Sequence, residues 1–142
     1  MTDHSLTPLC ALYARSSIED PTGHLQLEEL WEFIQLRGWK AVHEYVDLGL
    51  SGTTYPQPAL DTLMKDASEH RFDCVLVGKI DRLAYSVQLF LERLKHLESL
   101  GVRLVAPFQS IDTDDVTLAG GDLLLNIARA CAEFDSVKEL SL

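Results

Sequence analysis

A chain of 142 residues, 46% of them hydrophobic and 24% charged, has the composition of one folded domain and not of a disordered segment. Its apolar runs fall short of the roughly 18 residues of a membrane span, and Met1 to Pro8 lacks the basic start and long apolar core of a signal peptide, so a cytoplasmic protein without membrane contact is expected. A formal net charge of −10 opposes unaided binding to nucleic acid, whose affinity rests on neutralising phosphates; a DNA-facing role needs a local basic cluster or a separate basic module.

Leu9 to Ala14 reads as a strand buried on both faces. It ends in Arg15-Ser16-Ser17, followed by Glu19, Asp20, Pro21 and Gly23. Ligands of open α/β sheets bind outside the carboxyl ends of the strands, so a cation and two hydroxyls at this point form a candidate site. The plainer alternative is that Ser16 and Ser17 cap the next helix. Leu25, Leu27, Leu30, Trp31, Phe33 and Ile34 then recur on a helical period, and Gly38 stands where a helix end favours glycine. Trp39 to Val46 reads as a second strand.

The stretch from Asp47 to Pro58 is rich in glycine and proline, and a loop of this length in a compact domain is usually functional. Pro58 opens a helix running to about His70, with Leu60, Leu63, Met64 and Ala67 on one face. Phe72 to Gly78 reads as the central buried strand. It delivers Lys79-Ile80-Asp81-Arg82-Leu83 to the sheet edge that carries Arg15 and Ser17. A helix from about Ser86 to Leu100 carries Val87, Phe90, Leu91, Leu94 and Leu97 and stops at Gly101. Val102 to Pro107 is a fourth strand, and Gln109 to Asp115 is polar and turn-rich. The last helix, Gly121 to Phe134, is apolar nearly all round and so covered on several faces, in part by a second subunit.

This alternation predicts a three-layer α/β domain with a central, mostly parallel sheet flanked by helices. Cys10, Cys74 and Cys131 are odd in number and lack CxxC spacing, which argues against a disulfide framework and a zinc site. The five histidines are scattered singly, so no metal or other cofactor is expected.

Several stretches also stand in one recognisable order. They are Tyr13-Ala-Arg-Ser-Ser, Gln26, Asp47 with Ser51-Gly52, Pro58-Ala-Leu, Phe72-Asp-Cys-Val-Leu-Val-Gly-Lys-Ile-Asp-Arg-Leu, Gly101-Val102, Ile111-Asp-Thr and Ala132-Glu-Phe. Together they resemble the N-terminal catalytic domain of the serine recombinases, the resolvase/invertase family, from about Leu9 to Phe134. The resemblance implies a resolvase-like fold over residues 1–142 that ends at the start of a long C-terminal helix, with the family's separate DNA-binding domain absent. It also implies site-specific cleavage and rejoining of DNA by transesterification through a covalent 5′-phosphoserine. Ser17 is then the nucleophile, Arg15 and Arg82 the phosphate-holding guanidiniums, and Asp81 a group that orients an arginine or takes part in proton transfer. Gln26, Lys79 and Ser51 become phosphate or DNA contacts, and no metal is implied. The partners implied are DNA and further copies of the chain, as dimers and tetramers in the full-length protein and as a monomer or weak dimer in this fragment, with association to the nucleoid when DNA is bound.

That chemistry suits these residue types. A serine hydroxyl is a poor nucleophile at neutral pH, and phosphoryl transfer relies on cations and positioning, for which guanidiniums bind phosphate in bidentate fashion. Each residue also has a plainer reading: Arg15 paired with Asp20 or Glu19, Asp81 at a helix start where acids are favoured, Gln26 facing solvent.

The chain departs from the family pattern at charged positions. Gln57 stands where members usually have an arginine before the proline. Tyr85 replaces the arginine of Asp-Arg-Leu-x-Arg, and Ala132-Glu-Phe-Asp-Ser136 lacks a third. Loss of one preorganised donor costs about 3–4 kcal/mol of barrier. Two losses predict a slowing on the order of 10⁴-fold, although effects within one site do not add; Lys79, Arg71 or a partner's residue are the candidates to compensate. Two functions follow: a recombinase catalytic domain with impaired activity, or a catalytically silent relative acting as a regulatory or oligomerisation partner. A flavodoxin-like signalling or nucleotide-binding domain lacks support, because paired acids after the first strand and a GxGxxG motif are both missing.

Overall fold

A computed structural model describes residues 7–48, 57–114 and 119–140, with side chains described for 123–133 of the last segment. In chain order the elements are β1 (Leu9–Arg15), α1 (His24–Arg37), β2 (Lys40–Asp47), α2 (Pro58–Ser68), β3 (Cys74–Val77), α3 (Val87–Ser99), β4 (Arg103–Ala106), β5 (Ile111–Asp112) and α4 (Ala119–Leu140). Two 3-10 turns, Ile80–Arg82 and Pro107–Gln109, follow β3 and β4. The sheet order is β2-β1-β3-β4-β5, parallel through β4 and antiparallel at β5. This is the α/β architecture expected from the alternating pattern.

Alternate residues of the inner strands feed two cores, as strand geometry requires. Ala11, Tyr13, Val75, Val77, Leu104 and Ala106 face α2, α3 and α4, where Leu60, Leu63, Phe90, Leu97 and Ala130 close over them. Cys10, Leu12, Cys74, Leu76 and Val105 face the other way and meet Leu30 and Ile34 of α1. Each large aliphatic side chain so buried stabilises the fold by about 1.5–3 kcal/mol before entropy is counted.

β5 lies within the stretch read from sequence as polar turn. It has only two residues, Ile111 opposite Ala106 and Asp112 opposite Val105, too few for a period to show. Its anchor is chemical: the Arg103 guanidinium donates to both Asp112 oxygens at 2.9 and 2.7 Å.

The distance in sequence between Cys10 and Cys74 also conceals a contact. They are register partners on β1 and β3, both buried and both free thiols. The hydrogen bond to Cys10, and then burial, raise the Cys74 thiol well above its usual range, which keeps it protonated and unreactive.

Candidate active site

The chain runs β1 to β2 through α1 on one face, then β2 to β3 through α2 on the other. The two crossovers part between the carboxyl ends of β1 and β3, the crevice where ligands of open α/β sheets bind. The loop holding Ser17 leaves β1 there, and the turn holding Asp81 and Arg82 leaves β3 beside it.

Asp20 organises the first loop. Its side chain accepts from the backbone N–H of Leu25 at 3.1 Å and of Gln26 at 3.0 Å, capping α1. Burial pushes its carboxyl pKa up, but these two donors and the Gln26 amide outweigh burial and hold it below the usual value. The N-cap residue is Gly23, which has no side chain to offer, so the first-turn N–H groups of Leu25 and Gln26 are met by Asp20. Ser17 Oγ instead accepts the Asp20 N–H at 3.1 Å.

Gln26 is half-buried and clamps the end of β1. Its Nε2 donates to the Arg15 carbonyl at 2.7 Å and to Asp20 Oδ2 at 3.2 Å, while its Oε1 accepts the Arg15 N–H at 3.2 Å. The solvent-facing reading of Gln26 therefore fails.

Arg15 reaches across the crevice, where its Nη2 donates to the Asp81 carbonyl at 2.9 Å. Burial, and with it the like charge of Arg82, lower the pKa of Arg15, against the attraction of Tyr13, Asp81 and Asp47. Arg82 Nε lies 3.8 Å from Asp81 Oδ1, and that oxygen is buried with no hydrogen-bond partner.

Ser17, Gln26, Lys79 and Arg82 line one open cleft of about 450 Å³, with Glu19, Glu29 and Phe108 at its walls. Arg82 is 20% exposed, and Lys79 is exposed. Gln109, which the sequence reading passed over, fixes the segment after β3 by accepting the Ile80 N–H at 2.9 Å. A hydroxyl, a guanidinium and an ammonium that share one cleft can receive a phosphate diester and present an oxygen nucleophile to it.

Arg71 is not part of this arrangement. It precedes β3, at the opposite end of the strand, where its Nε pairs with Glu69 at 2.9 Å and Asp66 at 3.6 Å. It cannot compensate for a missing arginine in the cleft. Ser51 lies outside the described residues. Tyr85 is 40% exposed just past the 3-10 turn.

Gln57, read from sequence as a lost cation, is 3% exposed and the hub of a network. Its Nε2 donates to the Tyr13 hydroxyl at 2.9 Å and to the Arg82 carbonyl at 3.0 Å. Its Oε1 accepts from Arg93 Nη1 at 2.9 Å, and Arg93 also donates to the Leu83 carbonyl. The Tyr13 hydroxyl donates to Asp47 Oδ2 at 2.8 Å; burial first, then Asp47, drive its pKa far above the usual tyrosine value. Asp47 in turn caps α2, accepting from the Ala59 and Leu60 N–H groups at 2.7 and 3.0 Å. Arg93 was missed from sequence. Its signal was the spacing: it lies on α3 one turn from both Phe90 and Leu97, which are buried, so its stem shares their face.

Comparison with known proteins agrees with this geometry. The family described as "Resolvase, N terminal domain" matches residues 10–139. A probable DNA-invertase, y4cG, of Sinorhizobium fredii (strain NBRC 101917 / NGR234) is 32% identical over 124 residues; the match covers 87% of this chain and 36% of that protein, so the chain spans about a third of the length of that relative. The N-terminal catalytic domain of TP901-1 integrase superposes with a TM-score of 0.72 at 27% identity, covering 94% of this chain and 99% of that one. A resolvase family site-specific recombinase from Streptococcus pneumoniae shares the fold with a TM-score of 0.71 at 24% identity, over 95% and 93% of the two chains.

Proposed function

The chain belongs to the resolvase N-terminal domain family, the catalytic domain of serine recombinases, and on that premise we propose that it cleaves and rejoins DNA through Ser17. The observation that carries the proposal is the single cleft lined by Ser17, Arg82 and Lys79, at the crevice spanned by Arg15.

In the forward step the Ser17 oxygen attacks a phosphodiester. The Oγ–P bond forms and the P–O3′ bond breaks, which leaves a 5′-phosphoserine and a free 3′-hydroxyl. The serine proton leaves to a base and the departing O3′ gains one. Asp81, which the resemblance assigns to proton transfer or to orienting an arginine, is the acceptor in this reading; its Oδ1 is buried without a hydrogen-bond partner, 3.8 Å from Arg82 Nε. Reversal with an exchanged 3′-hydroxyl rejoins the strand and releases Ser17.

Arg15 and Arg82 stabilise negative charge on the phosphate oxygens, and Lys79 adds charge at the mouth. Gln26 acts indirectly: with its polar atoms engaged by Arg15 and Asp20, it positions the nucleophile loop. DNA and further copies of the chain are the partners in this reading, in the cytoplasm and at the nucleoid. The domain spans 1–142, and site recognition falls to a DNA-binding domain outside it, consistent with the net charge of −10.

The test uses the protein in its full natural reading frame, incubated with DNA nicked so that cleavage traps the intermediate. A covalent protein–DNA adduct on a denaturing gel is expected, and none from Ser17→Ala.

A second reading rests on Gln57 and Tyr85, neutral residues where members usually carry arginine: a catalytically silent regulatory or oligomerisation partner. Absence of adduct from the folded wild-type protein on its own DNA favours that reading.

A further inference from the structure

We propose that Arg93 is a positioning residue of the cleft, acting through Gln57 to fix the backbone that carries Arg82. The inference rests on the recombinase reading above for its chemistry, but its geometry stands apart from it. A 3-10 turn ends with carbonyls that have no partner within the turn. Here the two carbonyls after Asp81 are both captured, that of Arg82 by Gln57 Nε2 at 3.0 Å and that of Leu83 by Arg93. Arg93 also holds Gln57 itself at 2.9 Å, while Gln57 reaches the Tyr13 hydroxyl on β1. One guanidinium on α3 thereby ties the Arg82 turn to β1, the strand that leads into the Ser17 loop.

Arg93 is not itself a phosphate contact in this arrangement. Its Nη1 points inward to Leu83 and Gln57, and it is not among the residues that line the cleft with Ser17. The amide at 57 fits this role because it accepts and donates at once. Arginine at 57 has no acceptor to offer Arg93 and sets two cations side by side. Positions 57 and 93 are therefore coupled: a cation at one requires a neutral acceptor at the other. The guanidinium of Arg93 thus orders the neutral side chain at 57 and does not replace a phosphate-holding arginine there.

The experiment compares Arg93→Met, Arg93→Lys, Gln57→Arg and the double variant Gln57→Arg/Arg93→Met with wild type, each first shown to be folded by thermal melting. On the nicked DNA, Arg93→Met is expected to lower the saturated rate of adduct formation by about ten- to a hundredfold, the scale of a small misplacement of a reacting group, with the half-saturating DNA concentration unchanged. Arg93→Lys recovers part of the rate. Gln57→Arg alone is slow, and the double variant is faster than either single change. A folded Arg93→Met protein with the wild-type rate overturns the proposal.

A second readout needs no DNA chemistry. The Nε–H signal of Arg82 in labelled protein is expected to shift in Arg93→Met and to stay in place in Lys95→Met, a change at an exposed position of the same helix. An unmoved Arg82 signal in Arg93→Met overturns the proposal. Failure of wild type to form an adduct counts against the recombinase reading alone, because the Arg82 signal still decides the role of Arg93.

Discussion

Asp20 shows how one carboxylate can shape the loop that carries Ser17. Both its oxygens accept from the first turn of α1, and its own N–H meets Ser17 Oγ. Burial raises its pKa and the donors lower it, with a net depression. A carboxyl whose folded pKa is depressed contributes stability above its unfolded pKa, near the ordinary 3.8, and that contribution is lost as pH falls through the folded value. Asp20→Asn is therefore expected to lower the urea midpoint at pH 7, by an amount that shrinks as pH falls from about 4 through the lower folded value, below which both states are protonated. Of the residues in the site, Arg15, Ser17, Asp81 and Arg82 were legible in the sequence because each lies in a short ordered motif. Gln57 was legible as a departure, but its place at the centre of a network with Tyr13, Arg82 and Arg93 was not. Arg93 and Gln109 were not singled out, since their roles depend on carbonyls and amides that meet only across the folded sheet.

At the scale of elements, α1 is set by its entry. Gly23 adopts φ 76°, and a Cβ added there would lie 3.3 Å from Val46 Cγ1 and 3.4 Å from the Ala14 Cβ. Both the left-handed backbone and the close approach to β1 and β2 call for glycine. Gly23→Ala is expected to destabilise the fold by about 1–3 kcal/mol, read as a drop in the urea midpoint with an unchanged slope. The inner strands were legible as short continuous apolar runs and the helices by their 3.6-residue apolar period, and α2 and α3 begin at Pro58 and just after Ser86 as the sequence signals suggested. Helix α4 proved longer than its apolar run, Ala119–Leu140 against the expected 121–134. β5 was hidden because a two-residue strand has no period.

For the whole molecule, the governing fact is that the two halves of the candidate site ride on adjacent strands. Ser17 follows β1, Arg82 follows β3, and among the described residues one helix, α1, closes the second core while three helices close the first. Cys10 and Cys74 sit on those same two strands, opposite one another and sealed from solvent. A thiol reagent can reach them only when the seam between β1 and β3 opens. In a Cys131→Ser background the two remaining thiols are expected to alkylate slowly, at a rate that climbs with urea in step with unfolding. The pair then serves as a clock wound into the middle of the sheet. Each tick records a molecule in which the strand leading to Ser17 and the strand leading to Arg82 have come apart, so counting modified thiols counts the openings of the candidate site.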